Sequence, residues 1–178
     1  MGTDACIKVE VDGIMFTSAY RYYDGDSQEV CHSIKEDQDM LDHAARRMAQ
    51  LIPRNGTCIV PVPNRCGYAR QTYDLAKAIS KYCHMPVADV LVGKERESNY
   101  YCKKDGHPLS ENDMAFRQIE PLPLGRRPVI IDGVADHGTT AKAAYHALGD
   151  RGEVVTYAVS DNLLAQGKQI QQSRGFHR

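Results

Sequence analysis

Two carboxylates, an imidazole and two hydroxyls fall within Asp132-Gly133-Val134-Ala135-Asp136-His137-Gly138-Thr139-Thr140, directly after the apolar run Val129-Ile130-Ile131. The pattern predicts a buried strand over residues 128–132, a tight turn, and a helix over residues 139–148. Asp132 is then expected at the carboxyl edge of its strand, where open α/β sheets bind their ligands. Gly138 lets the backbone approach an anion closely, and Thr139 and Thr140 add hydroxyls beside the free N–H groups of the first helical turn. Such a turn can grip a phosphate and present carboxylates to the molecule that carries it. The alternative is a plain strand-to-helix connection in which Asp136 or Thr139 only caps the helix.

A second segment lies upstream. It reads Ile59-Val60-Pro61-Val62-Pro63-Asn64-Arg65, followed by Gly67-Tyr68 and a helical run over residues 73–79. Together the two motifs resemble type I phosphoribosyltransferases. The later one is similar to their signature for 5-phosphoribosyl 1-diphosphate (PRPP), an apolar strand ending in acids and followed by a loop of Thr and Gly. The earlier one is similar to the Pro-Val-Pro segment of the ComF-type (competence protein F-like) branch. The resemblance extends loosely over residues 20–160. Two residues depart from the signature: Gly133 stands where the family has a second acid, and His137 where it usually has Thr or Ser.

The resemblance implies a parallel-sheet, type I phosphoribosyltransferase-like α/β fold acting on PRPP or a nucleoside 5-monophosphate with Mg²⁺. On that reading Asp136, His137, Gly138, Thr139 and Thr140 cradle the 5-phosphate. Asp132 faces the ribose hydroxyls and reaches the metal only indirectly, through Mg²⁺-bound water or the ribose. Asp136 either orders the loop or acts as a base towards an accepting nucleobase, so Asp132 and Asp136 are the catalytic candidates. Asn64 and Arg65 fall where the family's pyrophosphate loop sits, and the family often has an unusual peptide geometry there. Arg65 is read either as a partner of the leaving group or as an exposed arginine.

Residues 93–116 are polar and lack a steady period, and structureless segments of that length are usually functional or disordered. The resemblance implies a flexible lid closing over PRPP, with Lys94, Arg96, Lys103 and Lys104 as candidate pyrophosphate contacts. An exposed β-hairpin is the competing expectation.

The remaining sequence predicts the frame that would hold these residues. Residues 7–11 and 14–17 alternate apolar and polar around Asp12-Gly13, a hairpin signal that the tyrosines at 20–23 are expected to continue. Residues 35–51 repeat apolar positions at helical spacing, with acids early and Arg46 and Arg47 late, as the helix dipole favours. Strands over residues 57–62, 87–92 and 154–160 and a helix over residues 72–82 complete a β-α-β alternation that implies a parallel sheet.

At 178 residues with 42% hydrophobic content, one domain with one core is expected over residues 1–178. The net charge of −1 comes from 22 basic and 23 acidic residues interspersed, which gives no footprint for nucleic acid and no polybasic run for a membrane surface. No stretch of about 18 apolar residues occurs, and the chain reads as cytoplasmic. Six cysteines without a Cys-x-x-Cys pair suggest reduced, structural thiols. The P-loop and Rossmann glycine patterns are absent.

The functional expectation is phosphoribosyl transfer to or from an unidentified acceptor. The alternative is a non-catalytic PRPP or nucleotide sensor, or a ComF-like accessory protein of DNA uptake or repair. The oligomeric state is open, with a homodimer as one option.

Overall fold

The computed structural model describes residues 6–170. The chain begins with the expected hairpin, β1 (Ile7–Val11) and β2 (Ile14–Arg21), paired antiparallel with Val11 opposite Ile14. Asp12 at φ 52° and Gly13 at φ 78° make the two-residue turn, the left-handed pair that matches strand twist. β2 continues through Tyr20 to Arg21, its other edge pairing in parallel with β7 (Glu153–Val159), and the expected continuation stops there, with Tyr22 and Tyr23 in a turn.

Helices α1 (Ser27–Ser33) and α2 (Gln38–Ala49) follow. The Asp37 carboxylate accepts from the Asp39 and Met40 amides at 2.8 and 3.2 Å and sets the start of α2. Next come β3 (Thr57–Pro61), buried throughout, and α3 (Gln71–Cys83), which ends on His84 in a left-handed conformation. The interior strand β6 (Arg127–Ala135) leads into α6 (Thr139–Ala147), then β7, α7 (Asp161–Gln166) and the short β8 (Lys168–Gln169).

The result is a mixed α/β domain around a six-stranded sheet of order β3-β6-β7-β2-β1-β8. The run from β3 to β2 is parallel, and the hairpin contributes the antiparallel side. One face buries Ile59, Val129, Ile131 and Val155 against Leu41, Met48, Leu75 and Ile79 of α2 and α3. The other buries Phe16, Val60, Ile130 and Val154 against Ala141, Ala144, Leu148 and Leu163. Being covered on both faces, the central strands read as continuous apolar runs.

Three sequence expectations are corrected. Residues 87–92 do not form a sheet strand: Ile59 exchanges two backbone bonds with Pro86 and Ala88, both 2.8 Å, and the chain then leaves the edge. Only β4 (Leu91–Val92) is extended, paired with β5 (Arg117–Gln118) in a separate two-stranded sheet. The segment expected to be without regular structure contains α4 (Asn99–Lys104) and α5 (Glu111–Met114). Each starts on a serine: Ser98 Oγ accepts from the Tyr100 amide at 3.2 Å, and Ser110 forms a reciprocal capping box with Asp113. Finally, β6 runs to Ala135, so Gly133 belongs to the strand and the turn begins only at Asp136.

Candidate active site at the carboxyl end of the central strand

The end of β6 and the start of α6 line a cleft of about 770 Å³, whose opposite wall is α4 with Pro108 and Leu109. Asp132, Asp136, His137, Gly138, Thr139 and Thr140 all line it, so the residues grouped by sequence are grouped in space as well. Gly138 caps α6 at φ 80°, and a Cβ there would lie 2.9 Å from Leu163 Cδ1 and 3.3 Å from Phe16 Cζ. Glycine therefore serves both the left-handed backbone and the close approach. No side chain caps α6, which leaves its first N–H groups turned towards the cleft with the positive end of the helix dipole behind them.

Asp136 is held on several sides. Its Oδ1 accepts from Ser160 Oγ and Asn162 Nδ2, both at 2.8 Å, and its Oδ2 pairs with the Lys103 ammonium from α4. His137 Nε2 lies 3.7 Å from the same oxygen. Burial pushes the carboxyl up, but the donors Lys103, Asn162 and Ser160 outweigh it and bring it down to about 2. A carboxylate so anchored orders the loop and makes a poor base. Ser160 also donates to the Asp136 carbonyl at 2.8 Å, which ties the ends of β6 and β7 together.

Asp132 is the opposite case. Burial pushes it up to about 6, against the pull of the Gly133 and Val134 amides and the charges of Lys35 and Arg96. Its Oδ1 accepts from the Gly133 N–H at 2.8 Å. The two carboxylates, four residues apart and both lining the cleft, thus differ in acidity, with Asp132 the more basic.

The second motif is placed elsewhere. Asn64 bonds to the start of α3, with Nδ2 on Gln71 Oε1 and Oδ1 accepting from Thr72 Oγ1, both at 3.3 Å. Arg65 is exposed, and neither residue lines the cleft. The peptide bonds of the described residues are all trans, the Asn64–Arg65 linkage included. What binds this turn to the lid segment is Arg96. Its guanidinium donates to the Asn64 and Pro63 carbonyls at 2.9 and 3.3 Å and lies 5.2 Å from the Phe116 ring centroid. Gly67 adds a second tie, since its carbonyl accepts from the Gly93 amide at 2.8 Å and a Cβ on it would stand 2.5 Å from the Gly93 oxygen. Of the four cations at 94, 96, 103 and 104 only Lys103 lines the cleft. Lys94 lies outside it and Lys104 is exposed.

No family model matches the chain. No curated protein matches it either. Solved structures do show similarity, among them one described as the structure of the allosteric regulatory enzyme of purine biosynthesis, at 15% identity and a TM-score of 0.43. That match covers 66% of this chain and 25% of the other, so the chain spans about a quarter of that protein's length.

Ser160 and Asn162 were not singled out by sequence reasoning. Their signal is the Val159-Ser160-Asp161-Asn162 step at the end of a buried strand, a helix-start pattern like that of β6 on the neighbouring parallel strand. Among the described residues no group of three His, Cys, Asp or Glu side chains could hold a metal ion. No disulfide joins the cysteines of the described residues. No helix among the described residues is long and apolar enough to cross a membrane.

Proposed function

We propose that the cleft binds a 5-phosphorylated ribose, as PRPP or a nucleoside 5-monophosphate, and that the chain transfers phosphoribose to or from an acceptor still to be identified. One observation carries this reading. The uncapped start of α6, with Gly138, Thr139 and Thr140, opens into the same cleft as the Asp132 carboxylate, three residues before the end of the parallel strand β6.

The phosphate would take the α6 amides and the Thr139 and Thr140 hydroxyls. The ribose would extend towards Asp132, which lines the same cleft further back along β6. Cleavage at ribose C1 passes through a transition state with cationic sugar character, like that of glycoside cleavage. A carboxylate held in a partly buried site beside that charge stabilises it more than the same group would in water. Asp136 positions the loop, and α4 with Pro108 and Leu109 covers the cleft and limits water that would hydrolyse the activated sugar.

Mg²⁺ would assist by neutralising the leaving pyrophosphate. With Gly133 in place of a second acid, Asp132 has no carboxylate beside it in sequence, and Asp136 is taken by Lys103. The ion would therefore come with the pyrophosphate oxygens and meet Asp132 through water.

A second reading, a sensor that binds PRPP without turnover, is favoured by the same Gly133 and by the Lys103–Asp136 pair, which occupies the loop's carboxylate. Titration calorimetry with PRPP, with and without Mg²⁺, followed by assay for pyrophosphate release with nucleobases, tests both. Mg²⁺-dependent binding with release supports transfer, binding without release supports the sensor, and no binding of PRPP or ribose 5-phosphate overturns the assignment.

A further inference from the structure

The sheet has a second cleft, at the opposite edge from the candidate active site. It occupies about 510 Å³ between the 121–125 loop and the starts of β6 and β7, and is lined by Arg126, Arg127, Arg151 and Gln118 with no carboxylate among its lining residues. Arg127 opens the nine-residue strand whose other end carries the active-site turn; at about 3.3 Å per residue the two lie roughly 25 Å apart.

The arginines are anchored in a way that leaves part of each guanidinium available. Arg151 donates from Nε to the Leu148 carbonyl at 2.9 Å, and neither of its terminal nitrogens has a hydrogen-bond partner among the described residues. Arg126 is held through Nη1, on the Thr57 carbonyl at 3.0 Å. Arg127 reaches Glu153 through Nη2 at 3.5 Å. An anchored guanidinium has already lost much of its rotamer freedom, so less entropy remains to be lost when it forks onto an oxyanion. The rim is apolar: Leu124 is fully exposed, and Pro121 and Leu122 stand beside it. Exposed leucine next to unspent cationic donors suits a ligand that is anionic at one end and apolar at the other.

We propose that this cleft is a second binding site, distinct from the active-site cleft, for a phosphate monoester carrying a flat or apolar body, with nucleoside monophosphates as the type. Arg151 and Arg126 take the phosphate and Leu124 covers the body.

The test is an amide chemical-shift titration of the isotope-labelled chain with adenosine 5′-monophosphate, adenosine and inorganic phosphate. The monophosphate is expected to shift the Gly125, Arg127 and Gly152 amides to saturation, phosphate to do so more weakly, and adenosine not at all. Arg151→Gln should weaken that response tenfold or more while leaving any response of Gly138 to Ala141 unchanged. Arg126→Gln serves as the second variant if Arg151→Gln does not fold. Leu124→Ser should weaken the monophosphate and not the phosphate response. Equal shifts with adenosine, no response at residues 121–127, or arginine variants that titrate like the parent would overturn the proposal. The response of Gly138 to Ala141 reports on the active-site reading separately, so the two can fail independently.

Discussion

The Lys103 ammonium on α4 is paired with the Asp136 carboxylate at the tip of β6, across 33 residues of sequence. The segment between β4 and β5 is thereby fastened to the turn proposed to hold phosphate. A phosphate bound at α6 would compete with Asp136 for the same ammonium, so the pair connects cover and ligand directly.

Lys103→Met should loosen that cover. Both partners are about a third or more exposed, at 33% and 41%, so the pair contributes no more than about 1 kcal/mol. Hydrogen exchange of the Asn99 to Lys104 amides should accelerate about two- to fivefold, and the Asp136 carboxyl should titrate above its present value of about 2. Unchanged exchange would show that α4 is held by other contacts.

Thr140→Val should lower affinity for ribose 5-phosphate by about 1.5–3 kcal/mol, the usual loss when one donor to a charged oxygen is removed. Calorimetry measures it. Thr140 is only half-buried at the helix start, so the fold should survive, and unchanged affinity would place the phosphate elsewhere.

Asp132 should make stability fall as pH rises. Its carboxyl is pushed from 3.8 to about 6, so between those values the folded chain holds a proton that the unfolded chain has lost. Stability contributed by that proton is present below pH 3.8, declines as pH climbs to about 6, and is absent above it. Asp132→Asn removes the penalty. Urea unfolding should show the variant more stable at pH 7.5 by about 1–3 kcal/mol, with little difference at pH 4. Ribose 5-phosphate binding by the parent chain should weaken below about pH 6, as the carboxylate proposed to face the ribose is neutralised.

Gly133→Asp tests the missing acid. Gly133 lies within β6 without a positive φ, and a Cβ there meets nothing within 4 Å. The variant should fold, and PRPP should bind more tightly and with greater Mg²⁺ dependence, because two carboxylates hold Mg²⁺-bound water better than one. A folded variant that binds PRPP no better removes the correspondence between Gly133 and a second acid.

Gly138→Ala should do the reverse and damage the site. The methyl would meet Leu163 and Phe16 at 2.9 and 3.3 Å on a backbone at φ 80°. Strain plus overpacking should cost about 2–4 kcal/mol in thermal or urea unfolding.

The sequence by itself determined the local elements and the strand-turn-helix unit that carries residues 132–140. The Asp12-Gly13 hairpin, α2, α3, α6 and the buried strands β3, β6 and β7 follow from short-range rules: turn chemistry, helical period and continuous apolar runs. The 132–140 cluster was legible because adjacent residues on a strand-turn-helix unit stay together whatever surrounds them. Tertiary structure decided the rest. Local pattern assigns residues 87–92 to a strand, but only the edge of β3 determines that Val87 alone reaches the sheet. Residue type marks Lys94, Arg96, Lys103 and Lys104 equally as anion-seeking, yet the packing of α4 sends Lys103 to Asp136 and that of the 63–68 turn draws Arg96 onto carbonyls. The unequal acidities of Asp132 and Asp136 likewise depend on burial and on donors from Lys103, Ser160 and Asn162. Those contacts join residues distant in sequence, and no local period or motif encodes them.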